Sequence, residues 1–573
     1  MNRTPRHRQN FSVWMVQRFR LSLPRLGFLF FVLIALFTGI FMIPPTWDEY
    51  LDFSGCIGAF NYGVAVLRGN SIDLESITHD LEWYGNAFRW PAYLLWGLLS
   101  RFPVEIPEGP NSYDIFLSSL FPQAVHFVSV LYASLGLYLF WKLLEVVDVT
   151  RRTRWIGALI YATSPILLSN SFWNLKEIPI GVAILFSLYV TILQSTATPG
   201  SRRRLVLFVA NAASMGLILG NKFAYFPIVV LIGICSSVYT YSPIIFSERA
   251  CVLSTPSFRF RPIQSWISIL LFNLFLLFVS ALLVAFLVTP QWWGIPTYPY
   301  DSIRFFATHP LVHVDHALSI EFFLSRLSYV LSPPIVAILL LILLSLLLYT
   351  PQAKLLASSL SKSQSFVLIC GTAIASFYVL PILLSGRVMY GHDLRHLVWF
   401  YPLVLCCLII LFDRVLGITP RNARKIAATA LSISFVFFLI EFIGIYPYLN
   451  SYAGLFPVER VKDFSATKER LLLSFYFPER SPEMLAPLLY QCSEDTRCVD
   501  QLKAYPPEAI KTSFPSNQPY LDAYVRLALQ GKAPQYVTPP SMLLKEAKRD
   551  GSCPTISLQK RFLAKFSSRL SPC

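Results

Sequence analysis

Apolar residues run along this chain in near-continuous stretches of about 20 positions, the length of helix that crosses a hydrocarbon core. The stretches predict eleven spans, at 27–43, 120–141, 155–172, 178–196, 205–220, 224–243, 264–289, 327–350, 365–385, 397–412 and 426–446. Barrel strands would instead show shorter, alternating runs. Two regions outside the spans are long enough to carry chemistry: a loop at 44–119 after the first span and a tail at 447–573 after the last. In the loop, Phe53, Ile57, Phe60, Val64 and Leu67 recur at helical spacing. The apolar stretch from Pro91 to Leu99 is too short to cross a bilayer and is placed in the interface. The tail shows neither repeats nor strand alternation and reads as a mixed domain. The predicted architecture is an all-α polytopic membrane protein: a basic N-terminus at 1–26, a transmembrane domain at 27–446 that includes the loop, and the tail domain.

Composition agrees. Hydrophobic residues make up 55% of the 573 positions and charged ones 14%, against about 25% in a typical soluble domain. A water-soluble enzyme and a disordered chain are both excluded. A net charge of +16 would suggest nucleic acid, but its distribution gives it another meaning. Connectors on the side of the N-terminus hold 22 Lys and Arg against four acids, whereas those on the opposite side hold nine against fifteen. The positive-inside rule then puts the N-terminus in the cytosol and, across eleven spans, the tail on the exoplasmic face. Cys56, Cys492, Cys498, Cys553 and Cys573 fall on that face, where the last four could pair, in a connectivity that spacing leaves open. Neither a Walker A sequence nor a G-x-G-x-x-G run occurs, which disfavours a nucleotide-driven pump.

Costly polar residues gather at one end of the predicted bundle. Asp48, Glu49, Asp52, Asp80, Glu82 and Tyr84 lie in the first loop, Lys176 and Glu177 between the third and fourth spans, and Lys222 where the fifth surfaces. Arg395 and His396 precede the tenth span. Carboxylates facing cations at a membrane surface suit transfer from a lipid phosphate. The cations neutralise the leaving phosphate, a carboxylate takes the proton from an attacking hydroxyl, and a single displacement inverts the anomeric carbon. Each residue has a plainer alternative. Asp48 and Glu49 would be solvated loop acids, Lys222 a lysine snorkelling from a helix end, Arg395 an interfacial anchor, and Lys176 with Glu177 a local ion pair.

Several segments, in order, resemble the GT-C superfamily of polyprenyl-phosphate-sugar-dependent glycosyltransferases, in its protein mannosyltransferase and aminoarabinose transferase branch. They are WDEY at 47–50 with Leu67-Arg68-Gly69-Asn70, SFWNLKEIP at 171–179, GNKFAYFP around Lys222, TPQWWGIP at 289–296, RHLVWFYP at 395–402 and YPYLNSYAG at 446–454. Glu177 stands where bacterial members carry Asp, and YPYLNSY matches the family segment only approximately. The resemblance implies that Asp48 is the catalytic carboxylate, assisted by Glu49. It implies that Lys222, Arg395, His396 and Lys176 hold the lipid phosphate, and that Asp80, Glu82, Tyr84, Trp292 and Trp293 line the substrate site. For the two tryptophans interfacial anchoring is the alternative, and for Asp80, Glu82 and Tyr84 a capping or surface role. It requires no cofactor. In HPLVHVDH at 309–316, His309, His313 and His316 have a spacing that would suit a divalent metal on a helix, with interfacial histidines as the default.

The expected function is inverting sugar transfer from a polyprenyl-phosphate donor to a hydroxyl of a protein, lipid or glycan on the exoplasmic face. A bacterial inner membrane is preferred over the endoplasmic reticulum. The rival is a membrane transporter or lipid flippase, which would place its ionisable groups near the midplane rather than at one end.

Overall fold

A computed structural model describes residues 37–40, 47–70, 84–100, 120–252, 261–308, 332–348, 360–385 and 398–445. The described residues form an all-helical, polytopic membrane protein. Its elements are α1 (Trp47–Leu67), α2 (Trp90–Ser100), α3 (Phe121–Val146), α4 (Arg151–Thr163), α5 (Pro165–Asn170), α6 (Ile178–Thr196), α7 (Arg202–Asn221), α8 (Phe226–Val252), α9 (Arg261–Val288), α10 (Pro290–Gly294), α11 (Tyr298–Thr308), α12 (Pro333–Leu348), α13 (Lys362–Ser385), α14 (Tyr401–Ile418) and α15 (Arg421–Ile445). Among the described residues five segments are long and apolar enough to cross a bilayer: α3, α6, α7, Phe223–Tyr241 at the start of α8, and Ile267–Val288 in α9.

Proline marks where many helices begin. α3, α5, α6, α10 and α14 each carry one at their first or second position, where the missing N–H has no intrahelical acceptor to lose. Pro165 also changes one expectation. The single span at 155–172 is two helices, α4 and α5, because a proline restricts the residue before it to extended backbone and Ser164 takes φ −59°, ψ 123°.

α6 is the axis of the bundle, with 78% of its apolar window buried, while α9 lies outside with 17%. α3, α7, α8 and α14 pack around α6, and α9 covers α7. The α7–α9 crossing is close because Gly216 and Gly220, one turn apart, face Ala281 and Ala285, both fully buried. A Cβ at Gly220 would sit 2.4 Å from Val288 Cγ2. Inside the bundle the polar groups of α6, α7 and α8 pair with one another. Ser187 donates to Asn211 Oδ1, Asn211 Nδ2 donates to Thr191 Oγ1 at 3.2 Å, and Thr191 Oγ1 donates to Ser236 at 3.0 Å.

In the first loop α1 is a helix, as the spacing predicts, and α2 is a second one; two members of the apolar row on α1 face outward while Ile57 and Val64 are half-buried. Phe60 and Leu67 are 42% and 76% exposed, whereas Asp52, Cys56, Ala59 and Tyr62 are buried. Small residues let α10 lie against the inner face: a Cβ at Gly63 would come within 2.9 Å of Pro290. α2 buries Ala92, Tyr93, Trp96 and Gly97 and exposes Leu94, Leu98 and Leu99, as a helix lying along a membrane interface would.

Candidate active site

The site lies at the end of the bundle where α5 turns into α6, α7 into α8 and α9 into α10. Three local devices build it. In the first, Asn174 Oδ1 accepts the backbone N–H groups of Lys176 at 3.2 Å and Glu177 at 2.8 Å, while its Nδ2 donates to Asn170 Oδ1 at 2.8 Å. This side-chain turn sets Lys176 and Glu177 at the mouth of α6. In the second, α7 ends as Lys222 goes extended, with φ −160° and ψ 109°, before a short 3₁₀ turn at Phe223–Tyr225 leads into α8. Asn221 Nδ2 donates to the Lys176 carbonyl at 2.9 Å and joins the two turns.

The third device is the first-loop segment between Tyr84 and Trp90, which docks on the end of α7. The Gly220 carbonyl accepts from Ala87 N at 3.4 Å and from Thr289 Oγ1 at 3.3 Å. Gln291 Nε2 donates to the Tyr84 carbonyl at 3.2 Å, and the Trp90 indole donates to the Val288 carbonyl at 3.0 Å. Only a glycine fits at 85, since a Cβ there would lie 1.8 Å from the Gly220 oxygen.

Five charged side chains converge on this frame. Asp52, 1% exposed, has Arg89 Nε at 2.9 Å and Lys176 Nζ at 3.4 Å from its Oδ1. Arg89, 0% exposed, also donates from Nη1 to Asn86 Oδ1 at 2.9 Å. Tyr84 is the hub: Lys222 Nζ lies 5.0 Å from the centre of its ring, and Lys176 Nζ and Arg89 Cζ each 5.7 Å. Lys222 also lies over the Tyr225 ring at 5.6 Å, and the Tyr225 hydroxyl donates to the buried Glu177 carboxylate. The Trp399 ring meets Tyr225 edge to face at 5.2 Å, which brings the described part of the 395–402 segment to the site. Next to Arg89, burial pushes the Cys56 thiol up to about 12 against the lowering pull of the guanidinium, so it stays an uncharged neighbour of Asn86.

Among the described residues three cations thus surround one aromatic ring, with two carboxylates, and all but Lys176 of these charged groups are buried. Charges confined in this way attract an anion far more strongly than they would on an open surface. Arg89 Nη2 and Asn86 Nδ2 are buried donors with no hydrogen-bond acceptor among the described residues, so the cluster has donor capacity for further oxygens. The chemistry available is recognition of a phosphate-like group and stabilisation of charge that develops on it.

Of the residues singled out in the sequence, the structure brings Lys176, Lys222 and Tyr84 together. Lys176 Nζ lies 3.4 Å from Asp52 Oδ1, and Glu177 accepts from the Tyr225 hydroxyl. Asp48 and Glu49 lie in the first turn of α1, with Asp48 one helical turn before Asp52, and their side chains fall outside the described set. Trp292 packs edge to face on Phe223 at 5.2 Å and Phe286 at 5.5 Å, and the Trp293 indole donates to the Phe286 carbonyl at 2.7 Å. Asp80, Glu82, Arg395, His396, His309, His313 and His316, and the tail cysteines, lie outside the described residues. Among the described residues no three His, Cys, Asp or Glu side chains converge as a metal site would require.

Arg89 is the member that motif reading passed over. Its signal was a single cation within an otherwise apolar and aromatic run, AFRWPAYLLW, where a charge at a membrane surface calls for a partner. Asp52 was visible only as one acid among several, because its burial depends on a partner 37 positions away.

No protein-family profile matches the chain, and neither does any curated protein. Two crystal structures are similar over most of its length. ArnT from Cupriavidus metallidurans in the apo state has 14% identity and a TM-score of 0.43, over 97% of this chain and 84% of that one. The same protein bound to undecaprenyl phosphate has 12% identity and a TM-score of 0.43, over 97% and 85%.

Proposed function

We propose that this protein is an inverting glycosyltransferase that moves a sugar from a polyprenyl-phosphate donor to a hydroxyl acceptor at the exoplasmic face of a membrane. The observation that carries the reading is the buried cationic cluster of Arg89, Lys176 and Lys222 around Tyr84, at one end of an apolar bundle. A lipid-linked substrate leaves its tail among the helices and presents its phosphate at their ends. As the glycosidic bond breaks, the phosphodiester monoanion becomes a monoester dianion, so fixed cations stabilise the transition state more than the bound donor. The leaving phosphate then needs no general acid.

The acceptor hydroxyl loses its proton to a carboxylate as it attacks. Asp48 has this role, one turn of α1 from the cluster, with Glu49 beside it. Asp52 is unsuited to it, because it is buried and already neutralised by Arg89 and Lys176. Arg395 and His396, from the segment that leads to Trp399, are further candidates for the phosphate contacts. The site sits at one end of the bundle, and the buried hydroxyls and amides of α6, α7 and α8 pair among themselves, which favours surface chemistry over transport.

Incubating the purified protein with a panel of polyprenyl-phosphate sugars, and measuring free lipid phosphate, tests the reading. One donor should release phosphate in an acceptor-dependent way, and Asp48→Asn should abolish release while leaving lipid binding intact. No release from any donor, or an unimpaired Asp48→Asn, would reject it.

A further inference from the structure

Asp52 needs an explanation that the proposed chemistry does not supply. It is a buried acid inside a site that has to attract an anion, and its negative charge opposes that task. We propose that Asp52 is a built-in competitor of the donor's phosphate: it holds Lys176 beside Arg89 in the empty site and gives Lys176 up when the phosphate arrives. The inference rests on the reading of the cluster as a phosphate site.

Three features of the geometry support exchange rather than a permanent tie. Arg89 Nε is 2.9 Å from Asp52 Oδ1, yet neither atom makes an aligned hydrogen bond, so the contact is an ion pair without the directional strength of a bidentate arginine–carboxylate fork. Lys176 Nζ stands farther off, at 3.4 Å, and keeps 16% of its side chain exposed, whereas Asp52 and Arg89 are closed to solvent. Arg89 is anchored a second time, through Asn86. The spare donors Arg89 Nη2 and Asn86 Nδ2 lie in the same cluster, ready for the oxygens of an incoming anion.

The physical reason for such an acid is the problem of three cations in one poorly solvated place. While no ligand is bound, Asp52 offsets part of the mutual repulsion between Arg89 and Lys176. Asp52 also keeps the phosphate product from binding too tightly to leave. It is a positioning residue that trades affinity for release, and it acts on the donor through Lys176.

The test is binding of a long-chain polyprenyl phosphate to the full-length protein in lipid nanodiscs, followed by tryptophan fluorescence at low and at moderate salt. Asp52→Asn, which removes the charge and keeps the shape, should bind about tenfold tighter than wild type; Lys176→Gln should bind about tenfold weaker. The double variant should return close to wild type, and both shifts should shrink as salt rises. In turnover, Asp52→Asn should lower KM and kcat together, the mark of slowed product release. A purely structural Asp52 would instead lose binding and thermal stability in step, so weaker or unchanged binding by Asp52→Asn overturns the inference. If Asp52→Asn does not fold, Asp52→Glu replaces it: the inference predicts wild-type affinity with the charge retained, and a loss of binding overturns it. Failure of the wild type to bind polyprenyl phosphate would reject the phosphate site itself and this inference with it.

Discussion

The two ends of the helical bundle handle buried charge in opposite ways. At the end away from the site, Asp413 accepts from the Thr150 hydroxyl at 2.6 Å and from its backbone N–H at 3.2 Å. Gln364 donates to the Val147 carbonyl at 2.8 Å and accepts from Arg414 Nε at 2.9 Å. Donors and acceptors there match, and the result is a latch that ties the α3–α4 turn to α13 and α14. At the site end, among the described residues, three cations face two carboxylates, the Asp52–Arg89 contact is poorly aligned, and buried donors on Arg89 and Asn86 have no acceptor. A protein builds the first arrangement for stability. It retains the second, which costs stability, where something else is to be bound.

The contrast can be broken at several points. The largest effect is expected from Gly85→Ala, which drives a methyl group into the Gly220 carbonyl and pushes the Tyr84–Arg89 segment off α7; transfer should fall below detection while the membrane bundle remains folded by circular dichroism. Next is Lys222→Gln, expected to lower turnover by about 100-fold, or ~2.7 kcal/mol, with an unchanged melting temperature. Asp413→Ala should do the reverse, costing ~2 kcal/mol of stability in a denaturation series and leaving KM for the donor untouched. Tyr84 sharpens the comparison: Tyr84→Leu should cost about tenfold in activity, while Tyr84→Phe, which keeps the ring, should stay within about threefold. The smallest effect belongs to the interior, where Asn211→Ala should cost ~1 kcal/mol of stability without altering transfer.

The sequence carried the bundle clearly, because a membrane span is written as a local run of apolar residues. α6 coincides with its predicted stretch from first residue to last. The break at Ser164 was less legible, since Pro165 sits inside an apolar run that hydropathy reads as unbroken. The site was half legible. Lys176 and Lys222 stand out as cations beside span ends, and Tyr84 as part of a polar cluster, so local patterns found them. Their common meeting point on Tyr84 was not readable, because it depends on the segment around Gly85 docking on Gly220, a contact 135 positions apart made possible by two missing side chains. The orientation of α1 was not legible, for a related reason. A row of Phe, Ile, Val and Leu usually marks the buried face, but next to lipid the outward face is also apolar, and packing alone determines that Asp52 turns in.

Photo-cross-linking tests the central claim most directly. A polyprenyl phosphate carrying a photoreactive group beside its phosphate would be irradiated with the protein in nanodiscs, and the adducts mapped by mass spectrometry. The account predicts adducts on the segment around Tyr84–Arg89 and on residues near Lys176 and Lys222, lost in Lys222→Gln. Adducts gathered at the Thr150–Gln364–Asp413 end, or scattered evenly over the outer helices, would contradict it.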